Sequence, residues 1–294
     1  MKIQKSFSDQ KASTVYVVPT PIGNLEDITF RALRTLKEVS VIAAEDTRNT
    51  KKLLSHFEIS TPLISYHEHN KENRTRQLLE RLGQDESIAV VSDAGMPGVS
   101  DPGYELVQGA IDSEYPVVVL PGANAALCAL VGSGLSTDEF LFYGFLPRKK
   151  KDKEAALERL KYSQATLLFY ESPFRVKDTL KMLKNHLGNR RMTAARELTK
   201  KFEEYVRGTA EELTTWAEST DLKGEFCLVV EGASPSEAQE NDLWWSSLSI
   251  VDHVDYYINK EELSSKEAVK RVTEERQMAK RDVYQAYHID QKKQ

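Results

Sequence analysis

Between Val15 and Val119 the chain alternates short, wholly apolar β-type runs with longer amphipathic stretches, and this constrains the fold more than anything else. VYVVP (15–19), VIAAED (41–46), PLISYH (62–67), SIAVVSDAG (87–95) and VVVLPG (117–122) read as strands. Between them ITFRALRTLKEV, TRNTKKLLSHF, NRTRQLLERLG and PGYELVQGAI carry apolar residues at helical spacing. Strands that are apolar on both faces and joined by helices form a parallel sheet covered on both sides. ANAALCALVG (123–132) reads as a further helix, rich in small residues. The pattern breaks at FYGFLPRKKKDK, where Pro147 and a basic run suggest a boundary. A second α/β segment follows: strand 166–171, helix 173–188, strands 192–197 and 203–208, helix 209–218 and strand 225–232. Residues 233–242 are polar and read as a linker, and the rest is helical in pattern, with two short helices joined near Arg276–Ala279. The expected domains are therefore 1–146, 147–232 and 233–294.

The 294 residues have an ordinary globular composition, 40 % apolar and 29 % charged, with a net charge of −5. No apolar run approaches the length of a membrane span, and residues 1–14 lack a secretory core, so a cytoplasmic protein is expected. Cys128 and Cys227 lie in apolar runs and read as small buried hydrophobes, too few for a disulfide framework or a four-cysteine zinc site. The acidic balance argues against non-specific coating of nucleic acid. Two basic stretches nevertheless suit a polyanion: 148–153 with five positive charges and one negative, and 181–207 with eight Lys/Arg against three Glu.

Chemistry is expected in the loops after the strands, where open α/β sheets bind ligands. PTPIGNL (19–25) is stiffened by two prolines, and Gly23 permits close approach; it is neither a Walker loop nor a dinucleotide fingerprint. SDAGMPGVSDPG (92–103) is too long and too punctuated to be a mere connection. In LPGANAALCAL (120–130), Gly122 stands ahead of a helix N-terminus with free N–H donors. Glu45, Asp46 and Arg48 follow one strand, and His67, Glu68, His69 and Asn70 another. The carboxylates beside Arg48 could hold a base or form a local ion pair. The His-x-His pair lacks a third ligand at a diagnostic spacing, so no metal is assigned.

VPTPIGNLEDIT, AEDTR, SDAGMPGVSDPG, PGANA, FYGFLPRK and LLFYESPFR, in this order and spacing, resemble the bacterial ribosomal RNA small subunit methyltransferase I family of the tetrapyrrole methylase superfamily. The resemblance runs from about Val15 to Gly232, and the KEAVKRV…KRDVY tail is similar to the family's small C-terminal domain. It implies an α/β fold, tetrapyrrole methylase-like, of two dissimilar α/β domains with a cofactor cleft between them, plus a small helical C-terminal domain. It implies S-adenosyl-L-methionine as cofactor, held by Ser92, Asp93, Ala94, Gly95, Gly122, Ala123, Asn124, Ala125, Tyr170 and Glu171. The implied reaction is 2′-O-methylation of a decoding-centre cytidine in 16S rRNA within the 30S subunit, by a homodimer with no DNA or membrane partner.

The poor 2′-hydroxyl nucleophile calls for a proton acceptor, and Asp46 or His67, with Glu45 and Arg48, are the expected catalytic residues. Pro21, Gly23, Asn24, Glu68, His69 and Asn70 are expected on the substrate side of the cleft. Arg148, Lys149, Lys150, Arg196 and the wider 190–201 stretch are expected to meet phosphates, with Lys266, Lys270, Arg271, Lys280 and Arg281 as further contacts. The competing expectations are a tetrapyrrole-type methyltransferase of the same fold and a non-catalytic RNA-binding protein.

Overall fold

The computed structural model describes residues 3–4, 13–237, 245, 247–261, 263–276 and 278–288. Most of the region read as free of a secretory core, residues 238–242 of the expected linker, and Gln277 in the expected helical joint lie outside the described residues. The chain forms two compact units, 1–232 and 233–294.

The first sheet contains β1 (Val15–Val17), β2 (Val41–Ala44), β3 (Leu63–Ser65), β4 (Ile88–Val91) and β5 (Val117–Val119), in the order β3-β2-β4-β1-β5. Every pairing in it is parallel. Alternate strand residues feed two cores. Ile42, Ala44, Ala89 and Val91 pack with α1 (Phe30–Glu38) and α2 (Thr47–His56) through Ala32, Leu36 and Leu54. Val15, Val17, Val41, Ala43, Ile88 and Val90 pack with α3 (Lys71–Leu82) and α4 (Tyr104–Asp112) through Leu78, Leu82, Leu106 and Ala110. Burial on both faces is why the inner strands β1, β2 and β4 carry no polar alternation.

The second sheet contains β6 (Phe140–Phe145), β7 (Thr166–Glu171), β8 (Arg191–Arg196), β9 (Glu204–Thr209) and β10 (Phe226–Val230), in the order β6-β7-β10-β8-β9. Only β6 and β7 run parallel; the other pairs are antiparallel. One face is covered by α6 (Lys150–Leu160), α7 (Val176–Leu187) and α8 (Ala210–Ser219), through Leu157, Leu180, Leu183 and Leu213. A capping box of Thr209 and Glu212 starts α8. The other face is covered by α5 (Ala125–Ser133), whose Ala126, Ala129 and Leu130 lie on Leu168, Ala195, Cys227 and Val229. The small residues of α5 thus serve close helix-on-sheet packing.

Three expectations change here. The second sheet begins at Phe140, ahead of the expected boundary at 147, and α5 already belongs to it; the register shift between Phe142 and Gly144 broke the strand's pattern in the sequence. Cys227 is buried, with its thiol pushed up to about 12 by burial, whereas Cys128 is exposed on α5. Lys153, counted in the basic run, is buried: its Nζ donates to Asp178 Oδ2 at 2.9 Å and to Thr179 Oγ1 at 3.3 Å.

The second unit holds α9 (Ile250–Lys260), α10 (Ser265–Glu275) and α11 (Lys280–His288) around Val254, Tyr257, Ala268, Val269, Val272 and Val283. Lys266, Lys270, Arg271, Lys280 and Arg281 are exposed on it, with Arg271 paired to Glu275 at 2.9 Å. No helix among the described residues is long and apolar enough to cross a membrane.

Candidate active site

A parallel sheet places the carboxyl ends of all its strands along one edge, so the loops after β1, β2, β3, β4 and β5 emerge together. The loop after β4 is fastened to the turn after β1 by a two-way backbone bridge between Thr20 and Gly95, at 2.9 and 3.0 Å. Thr20 Oγ1 also donates to Ser92 O. Gly95 has φ +79°, and a side chain there would press on Ile22. Facing this edge are the ends of β6, β7 and β8 and the start of β10. Between the two edges is a cavity of about 430 Å³. Its walls include Ile22, Glu45, Asp93–Met96, Asp101, Asn124, Ala125, Phe145, Tyr170, Glu171 and Leu198.

Five carboxylates line this cavity: Glu171 and Glu225 on the second-sheet side, and Glu45, Asp93 and Asp101 from the loops of the first sheet. Glu45 is raised above the usual carboxylate range, first by burial, with Asp93 N–H and His67 pulling it back. Asp101 is pushed up to about 6 by burial and by the negative charges of Glu45 and Asp93. Asp93 is held in place: Oδ1 accepts from Asp46 N at 3.1 Å and Oδ2 from Asn49 Nδ2 at 3.3 Å. Asp101 lies within the loop the sequence flagged, yet nothing in its sequence environment separates it from Asp93. Its burial and its negative neighbours arise only on folding.

Asp46 differs from these three. Its side chain caps α2 by accepting from Arg48 N at 2.8 Å, and Arg48 Nε and Nη2 close a bidentate pair at 3.0 and 2.6 Å. That pairing holds its carboxyl down at about 2, leaving a poor base. Of the two readings open for this cluster, the local ion pair describes Asp46 and Arg48. His67 Nε2 accepts from Asn70 Nδ2 at 3.2 Å, so in the neutral ring the proton sits on Nδ1, which is buried without a hydrogen-bond partner. Asn70 Oδ1 accepts from His67 N at 2.9 Å and fixes the loop. Glu68 pairs with Lys71 at 2.8 Å, and His69 lies edge-on to His67 with ring centroids 6.1 Å apart. Among the described residues no three His, Cys, Asp or Glu side chains form a metal-holding group.

Of the expected cofactor residues, Asp93, Ala94, Gly95, Asn124, Ala125, Tyr170 and Glu171 line the cavity. Asn124 also caps α5, accepting from Leu127 N. Ser92, Gly122 and Ala123 do not line it; Gly122 is needed because a Cβ there would lie 2.7 Å from Pro19 Cβ. Tyr170 is pushed up to about 12 by burial, so its hydroxyl stays protonated. Glu171 is 2 % exposed, and its carboxylate is occupied within the second sheet and its helices, accepting from Thr179 Oγ1 at 2.7 Å and Ser172 N at 2.9 Å.

A second cavity, of about 370 Å³, adjoins the first across Asp93 and is lined by Thr20, Pro21, Gly23 and Leu25, by Asn49, Lys52, Leu53 and His56 of α2, and by Ser92. Asn24 stands outside it, capping the turn at Leu25–Asp27. At Gly23 any side chain would collide with Lys200 and Thr199, so the turn fits closely against the β8–β9 loop of the second sheet.

The two basic stretches diverge. Arg148, Lys149 and Lys150 are exposed. In the later stretch the cations have other partners: Arg190 donates to Lys161 O, Arg191 pairs with Glu231, Arg196 with Glu204 at 2.6 Å, and Lys200 with Glu197 and Glu225. Arg196 is thus held across the antiparallel β8–β9 pair and is not presented to a phosphate. A linear charge count cannot see acidic residues that the sheet brings opposite.

A family model for tetrapyrrole (corrin/porphyrin) methylases matches residues 14–214. A Halalkalibacterium halodurans protein named ribosomal RNA small subunit methyltransferase I is 55 % identical over 98 % of this chain and 99 % of its own length. The Bacillus subtilis protein of that name is 52 % identical over 99 % and 100 %. Among solved structures, uroporphyrin-III C-methyltransferase from Thermus thermophilus, complexed with S-adenosylhomocysteine, is 21 % identical over 74 % of this chain and 97 % of that one, with a TM-score of 0.54. A diphthine synthase is 14 % identical over 78 % and 94 %, with a TM-score of 0.56. The last two likenesses speak to the fold alone.

Proposed function

Because the chain belongs to the tetrapyrrole methylase family, and within it to the group of relatives named ribosomal RNA small subunit methyltransferase I, we propose that it methylates 16S ribosomal RNA using S-adenosylmethionine. The acceptor in this reading is the 2′-hydroxyl of a decoding-centre cytidine, and the compartment is the cytoplasm. The observation that carries it is the set of Glu45, Asp93 and Asp101 on the first-sheet side of the cleft between the two sheets.

The donor set fits the cofactor. Glu45, Asp93 and Asp101 suit a cationic group, Ile22, Met96 and Leu198 offer an apolar surface to an adenine, and Asn124 offers an amide. When bound, S-adenosylmethionine supplies a methyl group already activated on a sulfonium. What the protein must add is alignment, worth several of the roughly 7–11 kcal/mol available to well-oriented reactants, and a place for the hydroxyl proton. Asp101 is the acceptor in this reading. A carboxylate near 6 is ionised at neutral pH and far more basic than Asp46 near 2. Glu45 and Asp93 keep it basic, and Asn70 and His67 shape the rim beside Glu45. Arg148, Lys149 and Lys150 supply phosphate contacts. Leu127 and Val131, a turn apart on α5 and 48 % and 74 % exposed, support a homodimer through that face.

The test is transfer of labelled methyl from S-adenosylmethionine to unmodified 30S particles, naked 16S rRNA and a tetrapyrrole precursor in parallel. Label on a ribose of the 16S RNA is expected. Label only on the tetrapyrrole moves the chain to a small-molecule activity, and no label despite cofactor binding makes it a non-catalytic RNA-binding protein.

A further inference from the structure

The second cavity has no role in the mechanism above, and its lining is not that of a packing defect. Asn49, Lys52, Leu53 and His56 follow one another at helical spacing, so a single face of α2 presents an amide, a cation, an apolar group and an imidazole. Opposite stand Pro21 and Leu25, the latter 39 % exposed although large and apolar. Asn49 Nδ2 is engaged by Asp93, which leaves its Oδ1 as an acceptor. Lys52 makes no ion pair among the described residues, whereas the nearby Arg48 and Lys200 are both committed to carboxylates. A volume of about 370 Å³ is at the small end of ligand sites, suited to one nucleotide and too small for a macrocycle. The only carboxylate in its wall, Asp93, is satisfied by Asp46 N–H and Asn49, at the end shared with the reaction cleft. Lys52 and His56 are further along α2, away from that carboxylate.

We propose that this cavity is a nucleotide subsite that holds the RNA residue adjoining the methylated one, its base between Leu25, Pro21 and Leu53 with an exocyclic amine on Asn49, and its phosphate on Lys52 and His56. The inference rests on the RNA reading above and deepens it. A splayed base held beside the cleft explains how a single-stranded target ribose is kept in register while the cofactor site is reached through Asp93. It also gives a purpose to Gly23, which lets the turn carrying Leu25 seat against the β8–β9 loop.

The experiment uses the full chain, unmodified 30S particles for steady-state transfer, and 16S rRNA for binding over a series of KCl concentrations. Lys52→Ala is expected to raise KM about tenfold with kcat within twofold. Its plot of log affinity against log salt should be shallower by about 0.7–0.9, the weight of one phosphate contact. Leu25→Glu should raise KM further by placing a charged carboxylate in the apolar slot that holds the base. Lys51→Ala, one residue away but outside the cavity, should change both readouts less than twofold. S-adenosylhomocysteine affinity should stay within twofold for all three, which reports an intact fold and cleft. An unchanged KM and salt slope for Lys52→Ala, or equal effects of Lys51→Ala and Lys52→Ala, overturns the subsite while leaving the RNA reading standing. A wild-type chain that labels no 16S RNA overturns both.

Discussion

The two sheets of the first unit are similar in strand number and opposite in use. In the first, all five strands run parallel, so each contributes a polar loop to one edge, and the titratable groups of the cleft gather there. In the second, reversal of β8 and β10 against their neighbours spends the same charged residue types on cross-strand pairs, as with Arg191–Glu231 and Arg196–Glu204. One sheet is a platform for chemistry. The other is a wall, stiffened by the buried run from Lys153 through Thr179 to Glu171. Strand direction, more than composition, decides whether a charge faces a ligand or a neighbour.

The sharpest way to break this comparison is Asp101→Asn. If Asp101 is the proton acceptor as proposed, methyl transfer should fall about 10²–10⁴-fold, read as single-turnover label transfer. The wild-type profile of kcat/KM should show an acid limb near pH 6, absent from the residual activity of the variant. The sign for stability is opposite. A raised carboxyl pKa means the folded chain keeps a proton that the unfolded chain releases, so a penalty builds as pH rises from about 3.8 to about 6 and persists above. Asp101→Asn should therefore raise Tm at pH 7.5, with the gain fading towards pH 4. A lowered Tm at pH 7.5 would place Asp101 among structural residues.

Next in size is Phe169→Ala in the wall. It removes a fully buried ring and should cost about 3–5 kcal/mol in denaturant unfolding, with kcat preserved while the chain is folded. If kcat falls as steeply as stability, the wall takes part in the chemistry and the division of labour fails. Asp46→Ala is smaller: loss of an N-cap of about 1 kcal/mol, and less than a tenfold fall in transfer. A thousandfold fall would return the acceptor role to Asp46. Smallest is Cys128→Ser, an exposed position, where stability should move by less than about 0.5 kcal/mol.

Much of this was legible in the chain. Strands without polar alternation announce burial on both faces, and the inner strands β1, β2 and β4 obey this, while the edge strands β3 and β5 are only partly covered. Glycine and proline after strands mark the cleft loops, and Asp93, Gly95 and Asn124 do line the cavity. Phe140–Phe145 was missed because the break at Gly144 hides its period, and Lys153 was misread because a charge run looks solvated until the helix carrying it turns one member inward. Asn49, Lys52 and His56 passed unnoticed as ordinary polar residues of an amphipathic helix.

Local sequence pattern was enough for most of the strands and helices, for the parallel first sheet, and for the loops rich in small and rigid residues that would meet a ligand. These follow from local periodicity and backbone stereochemistry, which neighbours in sequence specify. Which carboxylate is basic and which cation is unpaired depends on contacts that folding alone brings together. Asp46 and Asp101 are the same residue type, held near 2 and near 6, because one meets Arg48 and the other meets burial, Glu45 and Asp93. Such shifts are set by desolvation and by charges a few ångströms away in space, and the distance along the chain from Glu45 to Asp101 carries no trace of them.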